Sequence, residues 1–135
     1  MLYKANHQAR LLYLKNKKKI SQFDSENLAF YTIQECLKPY SALDVVSHIP
    51  LSRVIGDSSV LDEKQKQYAY NPLTHIDFVI YNIMDKIPVC AIEVDGFAFH
   101  NSATQQFKND ELKDAILQKC HIPLLRLRTN GSDER

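Results

Sequence analysis

Three acidic residues lie inside the two most apolar segments of the chain. Asp77 belongs to HIDFVIY at 75–81, and Glu93 and Asp95 belong to PVCAIEVD at 88–95. Both segments are rich in β-branched and aromatic residues, which is typical of β-strands. Carboxylates in such strands need a cation, a shared proton or strong hydrogen-bond donors, because an isolated buried charge is costly. A hard divalent cation such as Mg²⁺ is one suitable partner, since it prefers carboxylate oxygens.

The spacing of two of these acids predicts that they meet. If the two segments form a hairpin whose turn is centred on Asp85, then Asp77 and Glu93 face each other on adjacent strands. Directly opposed residues have Cβ atoms about 4.5–5.5 Å apart. Asp95 follows two residues later and points to the same side of its strand. The alternative is structural: Asp77 ends its strand in solvent, and Asp95-Gly96 is only the turn that leaves the sheet.

A predicted helix from Gln105 to about Cys120 adds a basic residue. Gln106, Asp110 and Lys113 lie at i, i+4 and i+7, so they share one polar face. The buried stripe is predicted to be a different one, formed by Leu112, Ala115, Ile116 and either Lys119 or Cys120. Lys113 could reach over the sheet toward the carboxylates, where an ammonium group positions water or stabilises developing charge. The competing interpretation is a surface ion pair between Asp110 and Lys113, worth about half a kcal/mol or less.

Two further residues have an open interpretation. His100 follows Asp95 in a loop at the same end of the sheet, where it could be a base, a phosphate donor or a metal ligand, or have none of these roles. Glu26 lies on the helical face of Phe30 and Ile33 and is expected to point toward the sheet. Its alternative role is to stabilise the start of that helix through the helix dipole. The sequence contains no GxSxG, P-loop, GxGxxG or HExxH motif, which excludes those catalytic templates.

The remaining pattern predicts the elements that must position these residues. The predicted order is α-β-β-β-α-β, with a short helix possible near 61–68 inside an otherwise loop-like stretch from 50 to 72. The first helix covers 25–37, and the strands cover 43–49, 75–81, 88–95 and 122–128. The two central strands carry apolar residues on both faces, so helices should cover both faces of the sheet. The predicted fold class is therefore α/β, with a central sheet flanked by helices.

Composition restricts the class of protein further. The chain has 135 residues, 44% of them hydrophobic, which fits one domain. No apolar run approaches the roughly 18 residues of a membrane span, and no secretory signal is visible, so no membrane partner is expected. The three cysteines, Cys36, Cys90 and Cys120, show no CxxC spacing. This argues against a zinc ribbon or a disulfide framework and predicts a reducing, cytoplasmic location.

The net charge of +1 does not by itself indicate a nucleic-acid partner. Positive charge is nevertheless concentrated at the beginning, where six lysines and arginines precede the first acid, Asp24. Residues 1–20 are therefore interpreted as a basic leader with helical potential. The leader is either a solvated tail or an arm that contacts phosphates.

Taken together, these residues resemble the PD-(D/E)XK nuclease superfamily, which has the restriction-endonuclease-like fold. The resemblance depends on SEN at 25–27, HIDFVIYN at 75–82, IEVDGFAFH at 92–100, the Gln106…Asp110…Lys113-Asp114 spacing and IPLLRLRTNGS at 122–132. More narrowly, these segments resemble the nuclease-like domain attached to the C-terminus of superfamily-one-type helicase ATPases in bacteria. They are also similar to very-short-patch-repair-like endonucleases. The similarity covers about residues 20 to 134.

The resemblance implies metal-dependent hydrolysis of DNA phosphodiester bonds, with Mg²⁺ or Mn²⁺ as cofactor. It implies a restriction-endonuclease-like core with a mixed sheet over residues 21–135, as part of a longer protein with a helicase ATPase domain in a DNA repair or defence system. Asp77 and Glu93 would be metal ligands, together with the backbone carbonyl of Val94, and Glu26 would lie near the metal.

The chain departs from the superfamily pattern where a lysine is expected, because that position holds Asp95. In related groups the following helix supplies the missing lysine, and Lys113 fits that role. Asp77, Glu93, Asp95, Lys113 and His100 are assigned to catalysis: the three acids would hold one or two metal ions, and Lys113 and His100 would assist in proton transfer and charge stabilisation. Contacts with the substrate are assigned to Gln106, Lys108 and Asp110.

Two rival interpretations remain. One is a catalytically inactive nucleic-acid-binding module of the same fold, which the missing strand lysine favours. The other is a structural domain that docks on a helicase. If the domain is an active nuclease, alanine at Asp77 or Glu93 is expected to abolish cleavage while leaving the fold intact.

Overall fold

The computed structural model describes residues 24–95 and 105–128. In chain order its elements are α1 (Asp24–Leu37), β1 (Leu43–Pro50), two 3₁₀ turns (Leu51–Arg53 and Ser58–Val60), α2 (Glu63–Ala69), β2 (His75–Asn82), β3 (Pro88–Asp95), α3 (Gln105–Lys119) and β4 (Leu124–Arg128). This order confirms the predicted one, including the short helix, and the bounds agree within about two residues. The predicted basic leader, 1–20, lies outside the described residues.

Local sequence explains how the shorter elements form. Helix α2 has seven residues, a length that is marginal for an isolated helix. Its capping box supplies part of the missing stability: Gln65 N–H donates to Asp62 Oδ1 at 2.8 Å, and Asp62 N–H donates to Gln65 Oε1 at 3.0 Å. Lys119 Nζ also donates to Gln65 Oε1 at 2.8 Å, which ties α2 to the end of α3.

The four strands form one mixed sheet in the order β1-β2-β3-β4. β1–β2 and β2–β3 are antiparallel, and β3–β4 is parallel, with α3 as the crossover between them. The pairs Phe78↔Ile92, Val79↔Ala91 and Ile80↔Cys90 confirm the register predicted from a turn centred on Asp85. An irregularity after Ile80 then shifts the ladder near the turn.

Helices cover both faces of this sheet, as the apolar central strands predicted. On one face, Ile33 of α1 packs with Val45, Phe78 and Ile92, and the rings of Phe30 and Phe78 stack at 5.8 Å. On the other face, α2, α3 and the 3₁₀ turns bury a second cluster of ten residues: Leu51, Val54, Ile55, Leu61, Ala69, Ile76, Val79, Ala91, Ile116 and Leu117.

The predicted buried stripe of α3 is partly wrong. Ile116 and Leu117 are fully buried, and Lys113 is buried beside them, whereas Lys119 is exposed. Lys113 lies three and four residues before the two buried apolar positions, so all three share a face. The predicted polar face that carries Lys113 is therefore part of the packed face of the helix.

Two further features concern the cysteines and the length of the helices. Cys36, Cys90 and Cys120 are all free thiols, and Cys90 packs against the α1-side cluster. Within residues 24–95 and 105–128, none of the helices has the length and apolar composition needed to cross a membrane.

Candidate active site

Asp77 and Glu93 lie where strands β2 and β3 stop pairing. The β2–β3 pairs run up to Phe78↔Ile92. At the next positions side chains replace the backbone ladder: Asp77 N–H donates to Glu93 Oε2, and Val94 N–H donates to Asp77 Oδ2, both at 2.8 Å. Each carboxylate therefore binds a backbone amide of the neighbouring strand, which satisfies donors that the separating strands would otherwise leave unpaired. The predicted meeting of the two acids is confirmed.

Lys113 completes the cluster from helix α3. Its Nζ donates to Glu93 Oε1 and, at 2.7 Å, to the carbonyl oxygen of His75. Glu93 and Lys113 are only 5% and 8% exposed, so this ion pair is withdrawn from solvent. Three elements, β2, β3 and α3, thus converge on one buried carboxylate. We refer to Asp77, Glu93 and Lys113 as the acid–lysine cluster.

The environment raises the pKa of both carboxyl groups. Burial is the main cause of the raised pKa of Glu93, which the charge of Lys113 opposes and that of Asp77 reinforces. Burial also raises the pKa of Asp77, where the hydrogen bond from Val94 opposes the effect and the charge of Glu26 adds to it. Two carboxyl groups share a single ammonium, so one of them retains a proton to higher pH than usual.

The pKa of Lys113 is shifted in the direction that favours its charged form. Burial alone would lower its pKa, but the charge and hydrogen bond of Glu93 raise the pKa of Lys113 above its usual value. The side chain is therefore an ammonium at neutral pH. It can donate hydrogen bonds and stabilise negative charge, and it is a poor base.

The donor set fits an open magnesium or manganese site. Among the side chains that the structure describes, no group of three or more His, Cys, Asp and Glu residues is arranged to hold a metal ion. Mg²⁺, however, usually keeps several waters and binds through one or two carboxylates together with substrate phosphates. Asp77 and Glu93 supply two such carboxylates, and the negative charges of Glu26 and Asp77 add to the effect of burial in raising the pKa values of Asp77 and Glu93 respectively, a repulsion that a bound cation would offset.

The structure describes some of the other predicted metal and catalytic residues but not all of their side chains. Glu26 is half-buried in the first turn of α1, close enough for its charge to raise the pKa of Asp77. Val94 contributes its N–H to Asp77. Asp95 is the last residue of β3, and its side chain is not among the described ones. His100 lies outside the described residues.

The predicted substrate-binding residues belong to the first half of α3. Lys108 is exposed, Asp110 is half-buried, and the side chain of Gln106 is not among the described ones. The alternative surface pair between Asp110 and Lys113 is wrong, because Lys113 turns inward to Glu93. Asp110 Oδ1 instead lies 3.8 Å from the Nη1 of Arg126, whose Nη2 also donates to Asp114 Oδ1 at 2.6 Å.

Sequence reasoning missed two residues near the cluster. Arg126 is the partner of Glu93 in the parallel β3–β4 register, so its place follows from that pairing. Tyr68 lies in α2, where burial raises the pKa of its phenol and the charges of Lys113 and Glu93 act on it with opposite signs. A cation between leucines in LLRLR was a usable signal for Arg126, whereas Tyr68 carried none.

Fold and site together define a mixed α/β domain with an acid–lysine cluster between its sheet and its last helix. The chain belongs to the family described as "Protein of unknown function (DUF2726)", which matches residues 18–135. No curated protein and no solved structure matches the chain.

Proposed function

We propose that this chain is a metal-dependent nuclease domain that hydrolyses DNA phosphodiester bonds, with a restriction-endonuclease-like core of the PD-(D/E)XK type. The observation that carries the proposal is the acid–lysine cluster at the separation of β2 and β3. The α-β-β-β-α-β order, with β3 and β4 parallel across α3, supports the fold assignment.

In this proposal Asp77 and Glu93 hold Mg²⁺ or Mn²⁺, with the carbonyl of Val94 as a further ligand and Glu26 nearby. Such an ion lowers the pKa of bound water and neutralises the scissile phosphate. Lys113 keeps its proton, so its role is to donate a hydrogen bond to water or phosphate and to stabilise developing negative charge. This arrangement would compensate for Asp95 at the position where the superfamily has a lysine.

The wider context of the proposal depends on the sequence resemblance. DNA is the proposed substrate, with Asp95 and His100 assisting catalysis and Gln106, Lys108 and Asp110 contacting the strand. A helicase ATPase domain in the same polypeptide is the proposed partner, in a cytoplasmic repair or defence system.

A specific observation favours a second candidate, a catalytically inactive nucleic-acid-binding or structural module of the same fold. Both oxygens of Glu93 are engaged inside the protein, one by Asp77 N–H and one by Lys113. A carboxylate satisfied in this way can serve to fasten α3 to the sheet without binding any metal.

Calorimetric titration with Mn²⁺ and a cleavage assay on single-stranded and duplex DNA distinguish these functions. The variants are Glu93→Gln and Asp77→Asn, with Glu111→Gln on the exposed side of α3 as the matched control. Amide variants are preferable to alanine because glutamine at position 93 keeps the volume of the side chain and an oxygen that can accept from the buried Lys113 ammonium, whereas alanine removes the charge, the acceptor and the packing together. Alanine at Glu93 should therefore destabilise the fold, which corrects the expectation from sequence that it leaves the fold intact.

We expect saturable Mn²⁺ binding and Mn²⁺-dependent cleavage in the wild type and in Glu111→Gln, and loss of both in the two site variants. Cleavage at the wild-type rate by Glu93→Gln would refute the nuclease assignment. DNA binding that survives chelation, without cleavage or Mn²⁺ binding, would instead establish the inactive binding module. Absence of DNA and metal binding would leave the structural role.

A further inference from the structure

Two histidines border the acid–lysine cluster on the β1 side. The imidazole rings of His48 and His75 stack with centroids 4.2 Å apart and planes inclined by 12°. The flanking pairs Ser47↔Phe78 and Ile49↔Ile76 place His48 opposite Asp77 in the β1–β2 register. The backbone of His75 contacts the cluster, because its carbonyl oxygen accepts a hydrogen bond from Lys113.

The backbone of His48 is unusual for a residue inside a strand. Its φ is 55°, in the left-handed region that few residues other than glycine adopt. Such strain persists only where the surroundings enforce it, and it is concentrated at functional sites. His48 is exposed, so burial does not explain its conformation. In this conformation the ring of His48 stacks on the ring of His75.

The geometry of the two rings argues against a chelated metal and for a stacking ligand. Because the rings are nearly parallel, the lone pairs of their nitrogens lie in parallel planes and do not converge on one ion at about 2.0–2.1 Å. Nδ1 of His75 is already hydrogen-bonded to the carbonyl oxygen of Leu73 at 3.1 Å. What remains is an exposed imidazole whose inner face rests on a second, half-buried ring.

Unpaired nucleobases are the ligands that such rings take in nucleic-acid-binding proteins, because a base stacks on histidine as on other aromatic side chains. Bases in a regular duplex are already stacked on their neighbours and cannot stack on His48 as well. We refer to the stacked rings of His48 and His75 as the platform. We propose that the His48–His75 stack binds an unpaired nucleobase beside Asp77, so that the substrate is a single strand or a junction with unpaired nucleotides. The proposal deepens the nuclease function and rests on it for the identity of the polymer.

The test measures binding of oligodeoxynucleotides that contain 2-aminopurine, single-stranded and duplex, in EDTA to prevent cleavage. His48→Asn removes the ring but keeps a residue that tolerates the left-handed backbone. His48→Phe keeps an aromatic ring. The matched control is His121→Asn, since His121 is also exposed and also left-handed, with φ 60°, but follows α3.

We expect the wild type to prefer the single strand and to quench 2-aminopurine. His48→Asn should lose affinity by about ten- to a hundred-fold, as for removal of one stacked base, while His121→Asn stays at the wild-type value. His48→Phe should remain within a few-fold of the wild type. Should His48→Phe fail to fold, as judged by circular dichroism, the comparison of the two asparagine variants still decides.

Unchanged single-strand affinity and quenching in His48→Asn would overturn the platform, as would equal binding of the duplex by the wild type. The nuclease proposal is tested separately by Mn²⁺-dependent cleavage. If His48→Asn cleaves single-stranded DNA at the wild-type rate, the proposed base-binding site is refuted and the nuclease proposal stands. If quenching depends on His48 but no DNA is cleaved, the base-binding site is supported and the nuclease proposal is refuted.

Discussion

Among single residues, Asp77 shows most directly how the fold changes the chemistry of a side chain. Its carboxylate accepts one backbone hydrogen bond, from Val94, yet burial and the neighbouring charge of Glu26 raise its pKa. The folded state therefore binds the proton of Asp77 more tightly than the unfolded state does. At neutral pH the ionised group is held against an electrostatic penalty, which is the condition in which a bound cation is favourable.

Asp77→Asn should reveal this penalty as a pH dependence. The pKa of Asp77 in the folded state lies above the usual 3.8, so the stabilising contribution of Asp77 is fully present in the wild type below pH 3.8. This contribution is lost as the pH rises through the pKa of the folded state. Asparagine does not ionise, so the free energy of unfolding of Asp77→Asn minus that of the wild type should increase over this range and then level off. Urea denaturation without metal, from about pH 3.5 to 7, measures the difference.

Asp57→Asn is the control of opposite sign. The N–H of Ser59 bonds to the Asp57 carboxylate and lowers its pKa, so this residue stabilises the fold at higher pH and loses its contribution as the pH falls. The free energy of unfolding of Asp57→Asn minus that of the wild type should therefore decrease as the pH rises. A wild type that gains stability relative to Asp77→Asn with increasing pH would contradict the assigned direction.

Among the elements, helix α3 has the most consequential placement. Its packed face combines Ile116 and Leu117, both fully buried, with Lys113 one turn earlier. The apolar pair packs with residues of the sheet, and the ion pair with Glu93 joins the middle of the helix to β3. Lys113 therefore contributes to the orientation of α3 as well as to the candidate site.

A double-mutant cycle tests this attachment. Lys113→Met should lower the free energy of unfolding by about 3–5 kcal/mol, because Glu93 is left buried without its counter-charge. Adding Glu93→Gln to Lys113→Met should restore part of that loss, since the double variant contains no unpaired charge. Urea denaturation of the four proteins gives the coupling energy.

Lys38→Met serves as the comparison, because Lys38 pairs with Glu35 at 3.0 Å in an exposed position and such pairs contribute little. Equal effects of Lys38→Met and Lys113→Met, or strictly additive effects within the cycle, would show that the buried pair does not hold α3.

At the level of the whole molecule, one sheet is shared by two cores. Ile33 of α1 packs on one face of β2 and β3, and Leu117 of α3 packs on the other. Neither core can be lost without exposing apolar residues of the same central strands. The described part of the chain should therefore unfold as a single cooperative unit.

Ile33→Ala and Leu117→Ala test this cooperativity from opposite faces. Each should lower the free energy of unfolding by about 2–5 kcal/mol, as is usual for buried large-to-small changes. Each should also leave one transition, with coincident curves from far-ultraviolet circular dichroism and tyrosine fluorescence. Two separated transitions in Ile33→Ala would indicate that α1 forms an independent unit.

The local features of this protein are predictable from sequence because they depend on local composition and short-range spacing. Residues 75–81 and 88–95 are rich in β-branched and aromatic residues, which indicates the central hairpin, and its turn sets the register that brings Asp77 to Glu93. A period of 3.6 residues identified the face of α1 that carries Ile33. A short helix is possible from sequence near 61–68, and the structure shows that a capping box of Asp62 and Gln65 begins it.

Only the tertiary structure decided which side chains meet across elements. The spacing in α3 is compatible with Lys113 on a polar face or on the packed face, and the rotation of the helix against the sheet selects the second. With this rotation, Asp110 lies beside Arg126 and not beside Lys113. The stack of His48 on His75 joins two strands through a left-handed residue that no local pattern marks. Periodicity assigns a residue to a face of its own element, whereas partners depend on how distant elements are rotated and ordered around the shared sheet.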